Sequence, residues 1–436
     1  MNFENGSVFV PDRVTCYLVP ASSSFPPLSR HKLVPWCRHE YWNEMLEHSV
    51  GFTLLFASLL CLGTWPTLLR LCSWDADGSS PVGVACLKPP DRVRHVCHVY
   101  LDYSFAYFVS SSLPLMVLCV SMDEQALPSN GAKLPLILVA MLGGALLSFG
   151  NMSLQWSTVV YGAPLTTVVA LQASLTVMLG TSLNYLLEPG QTPRPSLLVA
   201  GVFVFLVAIA MAAKAQLLYT QQQECASRSY AVVEMQYGSN IEDVIERDSS
   251  VDYSERELPS TTKKPMIGVL VATMGGLCFG FFSPAFNIAV NDPFAWTSAD
   301  HHTLMAVARA NCWFSLAFAM ASVVGNIWLL QRNGGSLSHI VVGYVSESSF
   351  VGRRHAIAAG IVCALRNILQ FQGGQLVGYA TADLVQAYPL VSTVWDVVLF
   401  NEFSTASLFS RLSVLLLTMY SAYIAGIILL AASSVV

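Results

Sequence analysis

Residues 197–218 read LLVAGVFVFLVAIAMAAKAQLL, and residues 221–264 read QQQECASRSYAVVEMQYGSNIEDVIERDSSVDYSERELPSTTKK. The first stretch carries a single charge, Lys214. It is about the length an α-helix needs to cross a hydrocarbon core roughly 30 Å thick. The second is polar and acidic, with almost no long apolar run, which is the composition of a disordered linker. A membrane span that empties into a water-facing connector excludes a soluble fold.

Working outward, apolar blocks of similar length recur on both sides. They fall at 50–71, 103–120, 134–156, 164–187 and 197–218 before the linker, and at 267–290, 303–330, 354–371, 379–400 and 409–432 after it. The expectation is therefore an all-α polytopic membrane protein of about ten spans. Composition agrees: 54% of the 436 residues are hydrophobic and 11% are charged. Soluble domains carry about 25% charged residues, so too few remain here to cover a water-facing surface. The lipid bilayer is the first partner implied. No basic tract marks nucleic-acid binding, and the net charge of −5 resides between the blocks.

By residue number the organisation is a poorly ordered tail at 1–48 and a first five-helix half at 49–218 with a loop insert at 73–97. A cytosolic linker at 219–265 and a second five-helix half at 266–436 follow. The tail has no apolar run of signal-peptide length, which leaves the first span as the insertion signal. The halves echo each other in order. Each first span has a glycine shortly before a mid-helix proline, Gly63 before Pro66 and Gly280 before Pro284. Each third span has an asparagine followed about a turn later by glutamine: Asn151 with Gln155, and Asn367 with Gln370. Each fourth span starts after a glycine (Gly162, Gly378) and ends near a glutamate (Glu188, Glu402). An odd number of spans per half inserts the second half upside down, an arrangement that places a solute site between the halves near the midplane.

Lysine and arginine counts set the orientation. Fourteen fall on the linker side and seven on the other. The linker side is thus cytosolic and both termini face outside or a lumen. The plasma membrane is the expected residence, with an endomembrane as the alternative.

Polar side chains inside spans are costly and need partners or a water-lined cavity. Candidate substrate-binding residues are Asn151, Gln155, Asn367, Gln370, Gln375, Gln386 and Trp65. Most lie around the eighth and ninth spans, which a glycine break at Gln372-Gly373-Gly374-Gln375 separates. Amide donors and acceptors beside one carboxylate suit a small, neutral, planar solute. Helix-to-helix glue is the competing reading for the amides. Asp383 shares a helix face with Gln386 three residues on and is the candidate proton-coupling group, with Arg366 and Asp396 as candidate charge partners. Pro66 and Pro284 lack an amide hydrogen and are candidate hinges.

Other chemistry is absent from the sequence. No phosphate-binding G-x-x-x-x-G-K-[ST] loop and no H-E-x-x-H or G-x-S-x-G motif occurs. The chain is accordingly expected not to be an enzyme, and to use no cofactor beyond the proton as coupling ion. Six of the eleven cysteines sit in or beside apolar blocks as small filler. Cys86, His95, Cys97 and His98 lack the paired spacing of a zinc site, so no metal is expected.

Six ordered strings carry a family resemblance: GTWP (63–66), YLDY (100–103), GG-x-x-LS-x-GN (143–151), GT-x-LNY (180–185), FSPAFN-x-A-x-ND (282–292) and GGQ-x-x-GYA-x-AD-x-VQA-x-PLVST-x-W (373–395). The chain resembles the plant-type ureide permeases of the drug/metabolite transporter superfamily. That resemblance implies a ten-span carrier with a cytosolic central loop that imports allantoin, uracil, xanthine and related heterocycles with protons. It also exposes three departures. Thr167 stands where the family has a fourth-span glutamate, Arg366 replaces a small residue, and Asp396 replaces a glycine. The alternatives are a sugar or nucleotide-sugar carrier of the same superfamily and a membrane receptor that moves no solute. A phosphorylated solute would want more cations than Arg366 in the spans. A receptor has no need of repeated halves.

Overall fold

The computed structural model describes residues 35–74, 96–121, 134–157, 165–188, 192–242, 265–296, 304–332, 350–400 and 411–435, with a few isolated loop positions between them. The chain divides into two units, Met1–Leu46 and Glu47–Val436. Everything below concerns the second, in which the described residues form helices and no strand.

The helices are α1 (Pro35–Trp74), α2 (Val96–Ser121), α3 (Leu134–Gln155), α4 (Leu165–Leu187), α5 (Pro195–Glu242), α6 (Pro265–Asn291), α7 (Leu304–Arg332) and α8 (Phe350–Val377). A short α9 (Tyr379–Ala382), a 3-10 turn (Asp383–Ala387), α10 (Pro389–Phe400) and α11 (Arg411–Ser434) complete the order. Eight stretches among the described residues are long and apolar enough to cross a membrane. They are Met45–Leu69, Leu134–Gln155, Thr167–Leu187, Pro195–Tyr219, Met266–Asn291, Met305–Gln331, Arg353–Val377 and Arg411–Ser434. Their outward faces are apolar: Leu186, Val199, Phe203, Val324, Leu417 and Ile428 are all exposed. Such a surface is stable against lipid and unstable against water. This is an integral, multi-pass, all-α membrane protein.

Packing pairs specific helices. α2 lies against α7 and α8, α3 against α6 and α7, α4 against α6, and α5 against α11. Two glycines let one helix approach the backbone of another. A Cβ on Gly144 of α3 would strike the Phe314 carbonyl of α7, and one on Gly360 of α8 would strike the Tyr103 carbonyl of α2. The interior is aromatic where α6 meets α8, with Phe286 and Phe371 stacked at 3.5 Å and 7°.

Four expectations need correction. The linker expected from 219 begins as helix, because α5 runs on to Glu242 through residues such as Gln, Glu and Ala that favour helix. The tail expected over 1–48 is helical from Pro35. The break expected at 372–375 is absent: α8 continues to Val377, and the chain breaks at Gly378, whose φ of 89° suits glycine. Finally, the ninth span is not one helix but α9, a 3-10 turn and α10; Pro389, at the first position of α10, is a normal helix start. The insert at 73–97 lies outside the described residues except at its ends, as does linker segment 243–264.

Candidate functional site

Gly378 determines the site's geometry, since the turn it permits puts Asp383 in a 3-10 element rather than on a helix flank. In a 3-10 turn residues three apart eclipse, so Asp383 and Gln386 still share a face, and both are buried. Asp383 is 1% exposed. Its Oδ2 accepts the Thr181 hydroxyl of α4 at 3.1 Å, and Asn184, one turn on, lies against the same carboxylate.

From Asn184 a chain of side-chain amides runs along the α4/α6 contact. Asn184 Nδ2 donates to Ser283 Oγ at 3.0 Å, and Asn287 Nδ2 donates to Asn184 Oδ1 at 3.2 Å. Asn291 Nδ2 donates to Asn287 Oδ1 at 2.9 Å and also to the Glu188 carboxylate. Gln375 Nε2 of α8 donates to Asn291 Oδ1 at 3.0 Å. Asn287 and Gln375 turn their N–H faces toward the Asp383 end, while Asn291 donates both ways, to Asn287 and to Glu188. The helical spacing explains it: Thr181, Asn184 and Glu188 follow one face of α4, and Ser283, Asn287 and Asn291 one face of α6.

A second polar group lies between α1, α2 and α8. Arg366 donates to the Asn367 side-chain carbonyl, and Asn367 donates to the Tyr107 hydroxyl. The Arg366 guanidinium stands 5.8 Å from the Phe282 ring centroid, and Ser58 donates to the Arg366 backbone carbonyl at 2.8 Å. Trp65 stacks on Tyr103 at 5.5 Å, and Tyr103 in turn meets Tyr100 at 5.2 Å. Many polar atoms here have no hydrogen-bond partner among the described residues. They are both amide atoms of Gln370, Arg366 Nε and Trp65 Nε1. Gln370 is 1% exposed.

The sequence-expected residues therefore divide. Gln370, Arg366 and Trp65 carry atoms without a partner, Asn367 beside them is paired on both sides, and Asn151 borders the group opposite Tyr100. Asp383 belongs to the amide chain and Gln375 to its outer end. Gln155 lies on the last turn of α3, half-buried. Thr167 is exposed on the first turn of α4, away from Asp383. Pro66 and Pro284 sit inside unbroken helices, so neither interrupts its span. Arg366 donates to Asn367 and lies over the ring of Phe282, and its charge also acts on Asp383. The Asp396 side chain lies outside the described residues. A groove of about 630 Å³ between α3, α6 and α7 is lined mainly by apolar side chains, including Phe149, Met274 and Trp328, and contains none of the expected site residues.

Sequence reading missed Thr181, Asn184, Asn287, Asn291 and Glu188 as one unit. Their signal was present as spacings of three and four within GT-x-LNY and FSPAFN-x-A-x-ND.

Comparison with known proteins adds an independent finding. A family model described as Ureide permease matches residues 99–258 and 251–433. Ureide permease 5 of Arabidopsis thaliana is 33% identical over 415 residues, covering 87% of this chain and 93% of that protein. Ureide permease 4 of the same plant is 31% identical over 430 residues, covering 90% of this chain and 99% of that one. Probable ureide permease A3 of Vigna unguiculata is 31% identical over 388 residues, covering 81% and 95%.

Proposed function

Because the chain belongs to the ureide permease family, and so is a membrane transporter, we propose that it imports small neutral oxo-nitrogen heterocycles of the allantoin, uracil and xanthine type together with protons. The observation that carries this reading is Gln370, a buried carboxamide with neither its donor nor its acceptor used. A ring imide or ureide presents an N–H beside a C=O, and a carboxamide is the complementary partner for both. Trp65 and Tyr103, stacked on each other, are aromatic faces of the kind that suits a planar ring. Arg366 Nε supplies a further unpaired donor. No phosphate or carboxylate is needed on the solute.

Asp383 is the coupling group in this reading. It is buried and held by Thr181 and Asn184, with the charge of Arg366 also acting on it.

The architecture proposed is ten spans as two inverted halves, 49–218 and 266–436, with the linker cytosolic, the termini outside, and the plasma membrane as residence. Reciprocal packing supports the inversion. Gly201 of α5 seats against Leu430 of α11, and Gly426 of α11 seats against Phe205 of α5. Each glycine thus meets the residue four beyond its counterpart, as an isologous two-fold contact requires.

The test is uptake of labelled allantoin and uracil by yeast unable to take up either, at acidic and neutral external pH with a panel of competitors. Accumulation that rises with acidity is expected. Failure to take up either solute would overturn the substrate class; uptake indifferent to pH would overturn the coupling alone.

A further inference from the structure

We propose that Glu188 is a second coupling carboxylate, tied to Asp383 through the amide chain of Asn184, Asn287 and Asn291. The inference rests on the proton-coupled reading above and extends it to a residue outside the spans.

Glu188 follows directly on the last residue of α4. It lies seven positions beyond Thr181, about 10 Å along the helix axis. Since α5 returns from this end toward the linker, Glu188 marks the face opposite the linker. Burial is graded along the chain. Glu188, Asn291 and Gln375 are half-buried, whereas Asn287, Asn184 and Asp383 are sealed. The polar chain therefore joins a solvent-reachable acid to a sealed one.

The charged and titratable surroundings of Glu188 are few. From α6 come Asn291 and Asn287, and next to Asn291 stands Asp292, whose carboxylate accepts the Trp296 backbone N–H at 2.9 Å. From α9 comes Tyr379, through its backbone N–H and its ring hydroxyl. From α8 comes the Gln375 amide, by way of Asn291. No lysine or arginine pairs with Glu188 among the described residues. At the other end, the charged group acting on Asp383 is Arg366. Burial, opposed by the Tyr379 N–H and the two asparagines, pushes the Glu188 carboxyl up to about 7. It is accordingly neutral below that pH and ionised above it.

Side-chain amides do not carry the proton; they apportion donors. An ionised Glu188 draws the Asn291 N–H toward itself. When a proton from water forms an O–H bond on Glu188, the acid becomes neutral and its hold on Asn291 weakens. Asn291 then donates more strongly to Asn287, Asn287 to Asn184, and Asn184 to the Asp383 end. Polarisation along such a chain is cooperative. The two acids compete for one set of N–H donors, and negative charge is favoured at one end at a time.

The experiment is the pH profile of labelled uracil or allantoin uptake, with surface expression measured alongside. Glu188→Gln removes the competing charge, so the uptake midpoint should move to lower pH by about half a unit to one unit. Glu188→Asp should keep a titrating group and stay nearer to wild type. Asn287→Ser cuts the chain while leaving both acids, and should shift the midpoint to higher pH. An unmoved midpoint in either Glu188→Gln or Asn287→Ser, in protein that reaches the membrane, would overturn the proposal; if one variant is not delivered, the other decides. Wild-type uptake without pH dependence would overturn the coupled reading itself. A wild-type dependence that Asp383→Asn removes and Glu188→Gln leaves untouched would overturn the role of Glu188 alone.

Discussion

Two buried polar regions lie within one helix bundle and differ in how far their polar atoms are paired. Along α4, α6 and the 3-10 turn, Thr181, Asn184, Asn287 and Asn291 each have a protein partner. Between α1, α2 and α8, Gln370, Trp65 and Arg366 each leave a buried polar atom unpaired. Both regions contain side-chain amides. A paired amide inside a membrane fastens helices at about 0.6 kcal/mol per hydrogen bond on average. An unpaired one costs about 1–3 kcal/mol in the fold, which is tolerable where binding a solute restores the lost hydrogen bonds. The first region is therefore assigned to holding and coupling, the second to recognition.

Substitutions can break that contrast. The largest effect on stability is expected for Asn184→Leu, which strands Asn287 Nδ2 and deprives Ser283 and Asp383 of a donor. A loss of about 2 kcal/mol should be visible as a lowered melting temperature in detergent, before any question of transport. Gln370→Leu should do the reverse. It removes no hydrogen bond made in the fold, so melting should hold or rise, while KM for uptake increases about tenfold, the equivalent of about 1.4 kcal/mol. If both variants lost stability and neither changed KM at equal surface expression, the two regions would not be different in kind. Glu188→Gln sharpens the comparison further by shifting only the pH profile. Thr181→Val is the mildest change, because one neutral hydroxyl is lost from Asp383; less than about 1 kcal/mol of stability and a small displacement of the pH midpoint are expected.

Much of the helical frame was legible in composition and block length, because the hydrocarbon core imposes one length on every span. The internal echoes were legible too, as Gly63 with Pro66 and Gly280 with Pro284. The broken ninth span was not. Its residues are apolar enough for one helix, and only the backbone at Gly378 reveals the turn. Asp383, Gln370 and Arg366 stood out as isolated polar residues in apolar runs. The amide chain escaped notice because its members sit on two helices distant in sequence, and the contact between α4 and α6 aligns them. Charge alone suggested Arg366 as a partner for Asp383 or Asp396; its hydrogen bond to Asn367 and its place over the Phe282 ring were not legible, because they depend on how the helices pack.

The central claim is that a neutral heterocycle moves with a proton that Asp383 carries. Proteoliposomes holding the wild-type chain or Asp383→Asn, given an imposed pH gradient and labelled uracil or allantoin, test it most directly. The wild type should concentrate solute against its gradient when the outside is acidic, and Asp383→Asn should bring it no further than equilibrium. Concentration that persists in Asp383→Asn, or that needs no pH gradient in the wild type, would contradict the claim.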